Sequence, residues 1–444
     1  MSVRAQKVSE KQATERGSRS RVDAFLDDNK IASRPLRWYV TGWRLGVVGM
    51  ILAYMFPWIA MQTAGPTLIV SGITIGIYVM LALGLNIVVG FAGLLDLGYV
   101  AFFVIGSYTA AVGSFGAIQL DSNGKLVHIP TFPFWLLLVV GALLAGLFGV
   151  LLGAPTLRLR GDYLAIVTLG FGEIVPTVFQ NLPYFYGQLG ISALPPGDIN
   201  LPFGTVTFSN PLDEAPFYYL TITLVLVITI GIIMLRDSSI GRAWVAIRED
   251  ETAAAASGVN LVRTKLLAFG LGAAIGGIGG VLNASFTTSI TPLDFNFIIS
   301  ITILIMIVLG GLGSIPGVIV GAILLRFFDV YLLGQINDWV HKFFLVAPPD
   351  APLHFLARVD FNASKYLIYG IVLVGMILLR PQGLIPNTRR TLELHGVGAA
   401  PESFSAVGIV EMEEQGMDMG GAGSEDETTY EGVGSDARGR EGQE

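Results

Sequence analysis

The stretch "WLLLVVGALLAGLFGVLLGA", residues Trp135–Ala154, is twenty residues long and contains no charged side chain. An α-helix rises about 1.5 Å per residue, so a helix of this length reaches across the hydrocarbon core of a bilayer, which is about 30 Å thick. A helix also satisfies its backbone hydrogen bonds internally, as lipid requires. The stretch therefore predicts a transmembrane helix.

The same apolar character extends over most of the chain. Of its 444 residues, 52% are hydrophobic and 14% are charged, whereas soluble domains carry about 25% charged residues. The long uncharged runs exclude a β-barrel, because barrel strands alternate in polarity and are about ten residues long. The composition predicts an all-α polytopic integral membrane protein, embedded in the lipid bilayer of the cell membrane.

Ten apolar segments are candidate transmembrane helices. They lie at about residues 45–63, 67–89, 97–115, 133–153, 162–181, 217–235, 264–286, 297–312, 315–333 and 364–380. If the N-terminus is cytoplasmic, most Lys and Arg residues between them fall on the cytoplasmic side, so the positive-inside rule predicts that both termini are cytoplasmic. Eight crossings with two re-entrant segments is the alternative, because glycines interrupt residues 88–103 and 307–321.

The two ends of the chain differ from this apolar middle, residues 45–386. Residues 1–44 are polar and carry ten Lys or Arg, and no short apolar run follows the first Met, so a cleaved signal peptide is not expected. Residues 387–444 are Gly-rich and acidic, with thirteen Asp or Glu and two Arg from residue 391 onward. We expect this tail to be disordered, because it has too little apolar surface to bury.

Several chemical functions are excluded or disfavoured by residue content. The chain has no Cys and four widely separated His, so disulfides and thiolate chemistry are impossible and no metal site is expected. It contains no G-x-x-x-x-G-K-[ST] phosphate loop, so energy must come from another chain or from an ion gradient. A membrane enzyme would need clustered polar groups, and the group at 158–162 is better explained as a positive-inside anchor. We therefore expect no catalytic residue, no cofactor and no nucleic-acid partner.

Glycines in the weak spans have two explanations. In transporters, interrupted helices often mark the substrate path. Small residues four apart also allow close helix packing, and this spacing occurs at Gly272-xxx-Gly276-xxx-Gly280 and at Gly313-xxx-Gly317-xxx-Gly321. The repeated spacing favours packing for most of these glycines.

A few charged residues lie inside the predicted spans, where each costs roughly 2.5–3.5 kcal/mol on insertion scales. The pair Arg326–Asp329, three residues apart, can satisfy itself and is interpreted as structural. Asp96, with Tyr99 beside it, lies in a Gly-interrupted region, and Glu173 lies in mid-span three residues before Pro176. Asp96, Tyr99 and Glu173 are the candidates for a translocation path, although Glu173 could equally cap a kink at the proline.

One charged segment separates two long spans: "RDSSIGRAWVAIREDETAAAASGVNLVRTK", residues Arg236–Lys265. Ser238 or Ser239 is a candidate N-cap, and Gly258 a candidate helix stop. Helical spacing places a set of apolar and small residues on one side of a single helix: Ile240, Ala243, Trp244, Ile247, Glu251, Ala254 and Ala255. A lipid-bound amphipathic helix would carry Leu and Phe where this one has the small residues Ala253–Ala256. The segment therefore predicts a cytoplasmic docking helix for another protein, with Arg263 and Lys265 anchoring the next span at the interface.

Five blocks of the sequence resemble the permeases of branched-chain amino-acid ABC importers, and they occur in the order of that family. They are "GLLDLGYVAFFVIGSYTAA" (93–111), "LRLRGDYLAIVTLGFGEIV" (157–175), "SIGRAWVAIREDETAAAASGV" (239–259), "VLGGLGSIPGVIVGAILL" (308–325) and "LRPQGLIP" (379–386). The match covers most of residues 80–386 and is closer to the M-type than to the H-type subunit.

The resemblance implies that residues 45–386 form half of a translocation pore for leucine, isoleucine and valine. The other components would be a homologous second permease, two cytoplasmic ABC ATPases and an extracellular or periplasmic solute-binding protein. The segment 236–265 would be the coupling loop, with these ATPase-coupling residues: Gly241, Arg242, Ala246, Arg248, Glu249, Glu251, Ala253, Ala254 and Gly258. It differs from the strict EAA spacing of importer loops, since the glutamate is Glu251 and residue 252 is Thr.

Alternatives to this function differ in substrate or in energy source. Relatives of this permease class carry urea and amides, and the outer segment Gln180–Pro196 lacks the usual Gly-Gly-Pro-type turn of the family. An ion-coupled secondary transporter would instead use midplane carboxylates, for which Asp96 and Glu173 are the candidates, and would have no need of a docking helix.

Overall fold

The structure is a computed structural model of the chain. It describes residues 46, 48–62, 65–119, 126–128, 130–156, 162–185, 189–192, 199–201, 204–206, 215–335, 365–380 and 383–385. The predicted basic segment 1–44, the predicted acidic tail 387–444 and most of the outer segment 182–214 lie outside the described residues.

Most described residues are helical, as the composition predicted. The helices are α1 Val48–Gln62, α2 Pro66–Leu85, α3 Val100–Phe115, α4 Phe134–Thr156, α5 Asp162–Asn181, α6 Ala215–Asp237, α7 Ser239–Glu249, α8 Glu251–Ala256, α9 Leu261–Thr287, α10 Phe297–Gly310, α11 Ile315–Phe327 and α12 Lys365–Leu379. Short 3₁₀ turns occupy Pro183–Phe185 and Pro292–Asp294.

Three short antiparallel ribbons also occur among the described residues, and the sequence analysis did not anticipate them. Strands β1 Ala117–Gln119 and β2 Leu126–His128 pair, β3 Ile191–Ser192 pairs with β6 Ser289–Ile290, and β4 Ile199–Leu201 pairs with β5 Gly204–Val206. All of them lie in connections between helices, where two or three residues are too few for a periodic signal.

Seven of the described helices are long and apolar enough to cross a membrane. They are Pro66–Phe91, Phe134–Thr156, Tyr163–Asn181, Ala215–Asp237, Leu261–Thr287, Pro292–Gly310 and Ile315–Gln335. Three shorter apolar helices, α1, α3 and α12, coincide with the other predicted spans. The chain is therefore an all-α polytopic membrane protein, and the number of ten crossings stays a prediction.

Helix α9 lies at the centre of the fold, and small residues bring its neighbours close. A Cβ on Gly106 of α3 would lie 2.1 Å from the carbonyl oxygen of Gly277 in α9. A Cβ on Gly277 would lie 2.5 Å from the carbonyl oxygen of Gly141 in α4. Since real Cβ atoms do not approach oxygen this closely, these helices pack backbone to backbone, as small-xxx-small sequences allow. Among the glycines predicted to pack in this way, the role is confirmed for Gly280, where a Cβ would lie 2.3 Å from the carbonyl oxygen of Phe103 in α3. We call the region around Gly106, Gly141 and Gly277 the glycine core.

Two sets of connections among the described residues lie at opposite ends of α9. At its C-terminal end, β6 pairs with β3, which follows α5, through Ile290 and Ile191. At the other end, the amides of Leu384 and Ile385 donate to the carbonyls of Leu309 and Gly310 at 2.9 and 3.0 Å. The charged helices α7 and α8 precede α9 and therefore lie at this second end, together with the last turn of α10.

Two helix interruptions also lie at the α7 end. Helix α2 continues into a π-helical turn, Asn86–Phe91, and regular helix resumes only at Val100. Helix α10 ends at Gly310, and α11 begins at Ile315 after Gly311, whose φ is 121°. The predicted segments 97–115 and 297–312 thus extend a few residues past the true helix ends. Glycine makes these breaks, because only glycine adopts such φ values without strain.

Candidate coupling and translocation sites

Helix α7 is attached firmly to the transmembrane helices. Ser238 is its N-cap, as predicted, and its hydroxyl accepts from the amide of Gly241 at 3.4 Å. Gly241 packs against the end of α6, where a Cβ would lie 2.2 Å from the carbonyl oxygen of Arg236. Trp244 is fully buried, and its Nε1–H donates to the carbonyl of Thr264 at 2.7 Å. The buried face of α7 therefore binds its own chain, and only the opposite face is open to a partner.

The predicted docking helix is two helices rather than one. Asp250 has extended backbone angles, ends α7 and caps α8. Its Oδ1 accepts from the amides of Thr252 and Ala253 at 2.7 and 3.1 Å. The hydrogen bonds from these two backbone amides lower the pKa of the Asp250 carboxyl, and the amide of Ala253 has the larger effect. The cap therefore stays ionised until the pH falls through that lowered pKa.

Glu251 contacts its own chain. Its carboxylate forms an ion pair with Lys265 of α9 at 2.5 Å, and the Lys265 side chain is only 7% exposed. The ammonium of Lys265, a predicted interface anchor, is turned inward to a carboxylate of its own chain, and the anchoring role stays a prediction. A buried ammonium requires such a partner, since unpaired charges are costly away from water. This geometry gives Glu251 the role of fixing α8 on α9.

The alanine face of α8 is divided between the interior and the surface. Ala254, a predicted coupling residue, is 3% exposed and faces inward, so its side chain is not part of the surface that is open to a partner. Ala253, Ala255 and Ala256 are exposed. Gly258 follows with φ 85°, the left-handed conformation expected at a helix stop.

Together, α7 and α8 present one open face, which we call the docking face. Its exposed residues are Arg242, Val245, Glu249, Thr252, Ala253, Ala255 and Ala256. Ala246 is partly covered. The part of the docking face in α8 carries mainly small side chains, and the part in α7 carries charged ones.

Arg248 points inward from α7, away from the docking face. Its Nη1 donates to the carbonyl oxygen of Gly90 in the π-helical turn after α2. A Cβ on Gly93 would lie 2.8 Å from Arg248 Cγ, and a Cβ on Gly313 would lie 3.0 Å from Arg248 Nη1. The arginine thus lies where the two helix interruptions meet. No sequence pattern indicated this contact, which joins residues 158 positions apart.

Of the three translocation candidates, Asp96 and Tyr99 are buried within the chain. Asp96 is 2% exposed, and its Oδ1 accepts from the amide of Gly98 at 2.9 Å. Its Oδ2 has no hydrogen-bond partner among the described residues. Asp96 also lines a small cleft together with Thr156 and Thr168. Tyr99 is fully buried, and its hydroxyl donates to the carbonyl of Gly272 at 2.9 Å. This contact packs α3 against α9, so Tyr99 has a structural role here.

Glu173 is the candidate that lies on an open surface of this chain. It is exposed near the middle of α5. Thr177 and Asn181 are exposed on the same face at i+4 and i+8. The hydroxyl of Thr177 donates to the backbone carbonyl of Glu173 at 2.7 Å. The side-chain Nδ2 of Asn181 donates to the backbone carbonyl of Thr177 at 2.8 Å. The sequence analysis missed these two residues, although their spacing is helical, and we call the three the α5 polar ridge.

The prediction that Arg326 and Asp329 satisfy each other is confirmed, since their side chains are ion-paired. Two further partners were not anticipated. Lys365 of α12 lies 3.4 Å from Asp329, and the Arg326 guanidinium lies 4.0 Å from the centre of the Tyr78 ring in α2. The cluster joins α2, α11 and α12, and cation–π contact offsets part of the cost of the buried guanidinium. Among the described residues, no group of His, Cys, Asp or Glu could hold a metal ion.

Comparison with known proteins agrees with this architecture. Residues 67–377 match the family model described as branched-chain amino acid transport system / permease component. The chain belongs to this permease family. It is therefore a multi-pass membrane component of a transport system rather than an enzyme.

Curated relatives refine the placement within the family. The chain is 40% identical over 343 residues to the high-affinity branched-chain amino acid transport system permease protein LivM of Escherichia coli (strain K12), covering 73% of this chain and 72% of that protein. The LivM protein of Salmonella typhimurium is 40% identical over 335 residues, covering 72% and 70%. The LivH protein of E. coli is 26% identical over 292 residues, covering 61% and 88%. The closer similarity to the M-type subunit, expected from the sequence, is confirmed. No solved structure matches the chain.

Proposed function

We propose that this chain is one of two homologous permease subunits of an ATP-driven importer for leucine, isoleucine and valine in the cytoplasmic membrane. Two ATPase subunits would bind from the cytoplasm, and a solute-binding protein would deliver substrate from outside. The substrate and the second permease follow from the names of the LivM and LivH relatives. The observation that supports ATP coupling most directly is the docking face, because α7 and α8 are fixed to their own chain on one side and open on the other.

The proposed topology has ten crossings with both termini in the cytoplasm. It is supported by the distribution of Lys and Arg, which are concentrated in the segments that this topology places in the cytoplasm. In this topology the fifth and seventh crossings both end outside the cell, and the strands that follow them, β3 and β6, pair with each other. The sixth crossing ends in the cytoplasm, and α7, which follows it, packs at the opposite end of α9.

Each ATPase subunit is expected to receive the docking face of one permease. The small side chains of Ala253, Ala255 and Ala256 would allow close approach of a partner groove, and Arg242 and Glu249 would contribute charged contacts at its edge. Ala255→Arg should therefore prevent the ATPase from co-purifying, because a long charged side chain would occupy the contact. Ala154→Arg is the matched control, since Ala154 is also exposed, at the last turn of α4.

The α5 polar ridge is proposed to face the translocation path. An exposed carboxylate in mid-span cannot rest in lipid without a cost of roughly 2.5–3.5 kcal/mol. The ridge would face water if the second permease covers α5 and leaves a conduit between the subunits. There the carboxylate of Glu173 would attract the ammonium group of an amino acid. Glu173→Gln should slow uptake several-fold, whereas Ile174→Val, at an exposed neighbour, should leave uptake unchanged.

The test of the function is uptake by the complex purified from its native membrane and reconstituted in proteoliposomes. Labelled leucine, isoleucine and valine should accumulate when ATP is enclosed on the cytoplasmic side and the binding protein is added outside. Accumulation of urea or an amide instead would show that the protein transports these compounds rather than branched-chain amino acids. Uptake that stops when the membrane potential is dissipated, and continues without ATP, would reject the importer and indicate an ion-coupled transporter.

A further inference from the structure

The two helix interruptions and Arg248 form a single connected unit, which we call the junction: residues 86–93 after α2, residues 310–314 between α10 and α11, and Arg248. The amide of Gly313 donates to Asn86 Oδ1 at 3.0 Å, which joins the two interruptions directly. The Nη1 of Arg248 donates to the carbonyl oxygen of Gly90. Helix α7 is therefore connected to both interruptions by one side chain.

Glycines create the space that these contacts need. A Cβ on Gly90 would lie 2.0 Å from Asn86 Oδ1 and 2.8 Å from the Gly313 nitrogen. On the other side of the arginine, Gly93 and Gly313 leave room for its Cγ and Nη1. Side chains at these positions would push the guanidinium out of the junction. The glycines at 93 and 313 therefore leave room for the Arg248 side chain to reach the junction.

The junction also has features of a segment that can rearrange. Asn86 is fully buried, yet its Nδ2 has no hydrogen-bond partner in the part of the chain that the structure describes. Leaving a buried donor unsatisfied is unfavourable, so a second arrangement that pairs it would recover that free energy. The turn at 86–91 is π-helical, and π-helical turns are frequent at functional sites. Both interruptions depart from the regular hydrogen bonding that makes continuous helices rigid.

We propose that Arg248 is the positioning residue that transmits movement of α7 to the pore. When the ATPases move the docking face, Arg248 would pull on the carbonyl of Gly90 and shift both interruptions together through Asn86 and Gly313. The inference rests on the proposed function and deepens it. It separates two roles within α7: the docking face holds the ATPase, and Arg248 connects that face to the transmembrane helices.

Arg248→Ala in the reconstituted complex tests this separation. Arg380→Ala is the matched control, since Arg380 is exposed at the end of α12 and lies outside α7 and α8. The Arg248→Ala complex should keep its ATPase bound and hydrolysing ATP at half the unmodified rate or more. The amount of substrate taken up per ATP should fall at least tenfold, because the ATPase would move α7 without moving the junction. Arg248→Gln keeps a hydrogen-bond donor and should give an intermediate ratio.

The outcomes distinguish the inference from the function beneath it. Uptake per ATP within twofold of the unmodified complex would show that Arg248 transmits nothing. Loss of the ATPase from purified Arg248→Ala would make the arginine a docking residue and overturn the separation of roles. If the unmodified complex shows no ATP-driven uptake, the proposed function fails, whatever Arg248 does.

A second measurement covers the case in which Arg248→Ala does not fold. Amide hydrogen exchange of the unmodified complex, with and without a non-hydrolysable ATP analogue, should change at residues 86–94 and 311–314 together with α7. Exchange that changes at α7 but not at these two segments would contradict the proposal.

Discussion

The glycine core and the junction both depend on glycine, but they use it differently. In the core, continuous helices approach through Gly106, Gly141 and Gly277, and their backbone hydrogen bonds remain within each helix. In the junction, Gly90 and Gly313 lie where helices stop, and polar side chains join the ends. Close packing of complete helices resists movement, whereas an interrupted backbone beside a buried, unsatisfied donor has an alternative state within reach. We therefore expect the same residue type to stabilise one region and to allow rearrangement in the other.

The largest effect is expected in the core, from Gly106→Ala. The new Cβ would lie 2.1 Å from the carbonyl oxygen of Gly277, so the backbones of α3 and α9 must separate. Overpacking of this kind typically costs about 1–3 kcal/mol and occasionally more. The apparent Tm and the yield of purified complex should both fall. Gly231→Ala in α6, where a Cβ would meet no described atom within 4 Å, is the control and should change neither.

A smaller loss of stability but a larger loss of transport is expected from Gly90→Ala. Its Cβ would lie 2.0 Å from the side-chain oxygen of Asn86, which can turn away, and 2.8 Å from the backbone nitrogen of Gly313, whereas the Cβ in Gly106→Ala meets only backbone atoms, the nearest at 2.1 Å. Rotation of the Asn86 side chain would break the hydrogen bond that its Oδ1 accepts from the Gly313 amide, and the two interruptions would lose their direct connection. Uptake should fall at least tenfold while the apparent Tm stays above that of Gly106→Ala. The reverse order, with the lower Tm in Gly90→Ala, would mean that the junction is ordinary packing.

Asn86→Ala tests the same connection without adding atoms. It leaves the amide of Gly313 without its acceptor, which costs roughly 1–3 kcal/mol for a buried group. It also removes the unsatisfied Nδ2. We expect a modest decrease in Tm and a severalfold decrease in uptake per ATP. Unchanged coupling in this variant would restrict the transmitting contact to Arg248 and Gly90.

The smallest effect is expected from Ser107→Ala, the counterpart of Asn86 in the core. The hydroxyl of Ser107 donates across to the carbonyl of Gly280 at 3.0 Å and also bonds within α3. Hydrogen bonds between membrane helices average about 0.6 kcal/mol. The Tm should decrease slightly and uptake should not change. A strong transport defect here would remove the functional difference between the two regions.

The coupling segment, residues 236–265, shows which features residue patterns can predict and which they cannot. Its N-cap at Ser238 and its stop at Gly258 were predicted correctly, because caps are local features with strong residue preferences. The prediction of one continuous helix was wrong. Asp250 was not recognised as a cap, yet its carboxylate caps a second helix and its extended backbone ends the first. Ala254 is buried like Trp244 and Ile247, the residues with which helical spacing groups it.

The charged residues show the same limit. The pairing of Arg326 with Asp329 is local and was predictable, whereas Lys365 reaches Asp329 across 36 positions of the chain. Glu173 was recognised as a mid-span charge, but its exposure on an open face depends on which helices cover α5. Asp96 and Tyr99 were candidates for the same reason, and burial within the chain separates them from Glu173.

Residue patterns along the chain were enough to establish a helical membrane protein, the positions of most of its helices, the two ends of its charged segment and the family that it resembles. These properties depend on local composition and on periodicity, which any short window of sequence contains. Three features required the packed molecule: the burial of Lys265 against Glu251, the open polar ridge of α5 and the position of Arg248 between two interruptions. Such contacts connect residues far apart in sequence, and they depend on how the helices pack, which in α3, α4 and α9 includes close backbone approach at glycines.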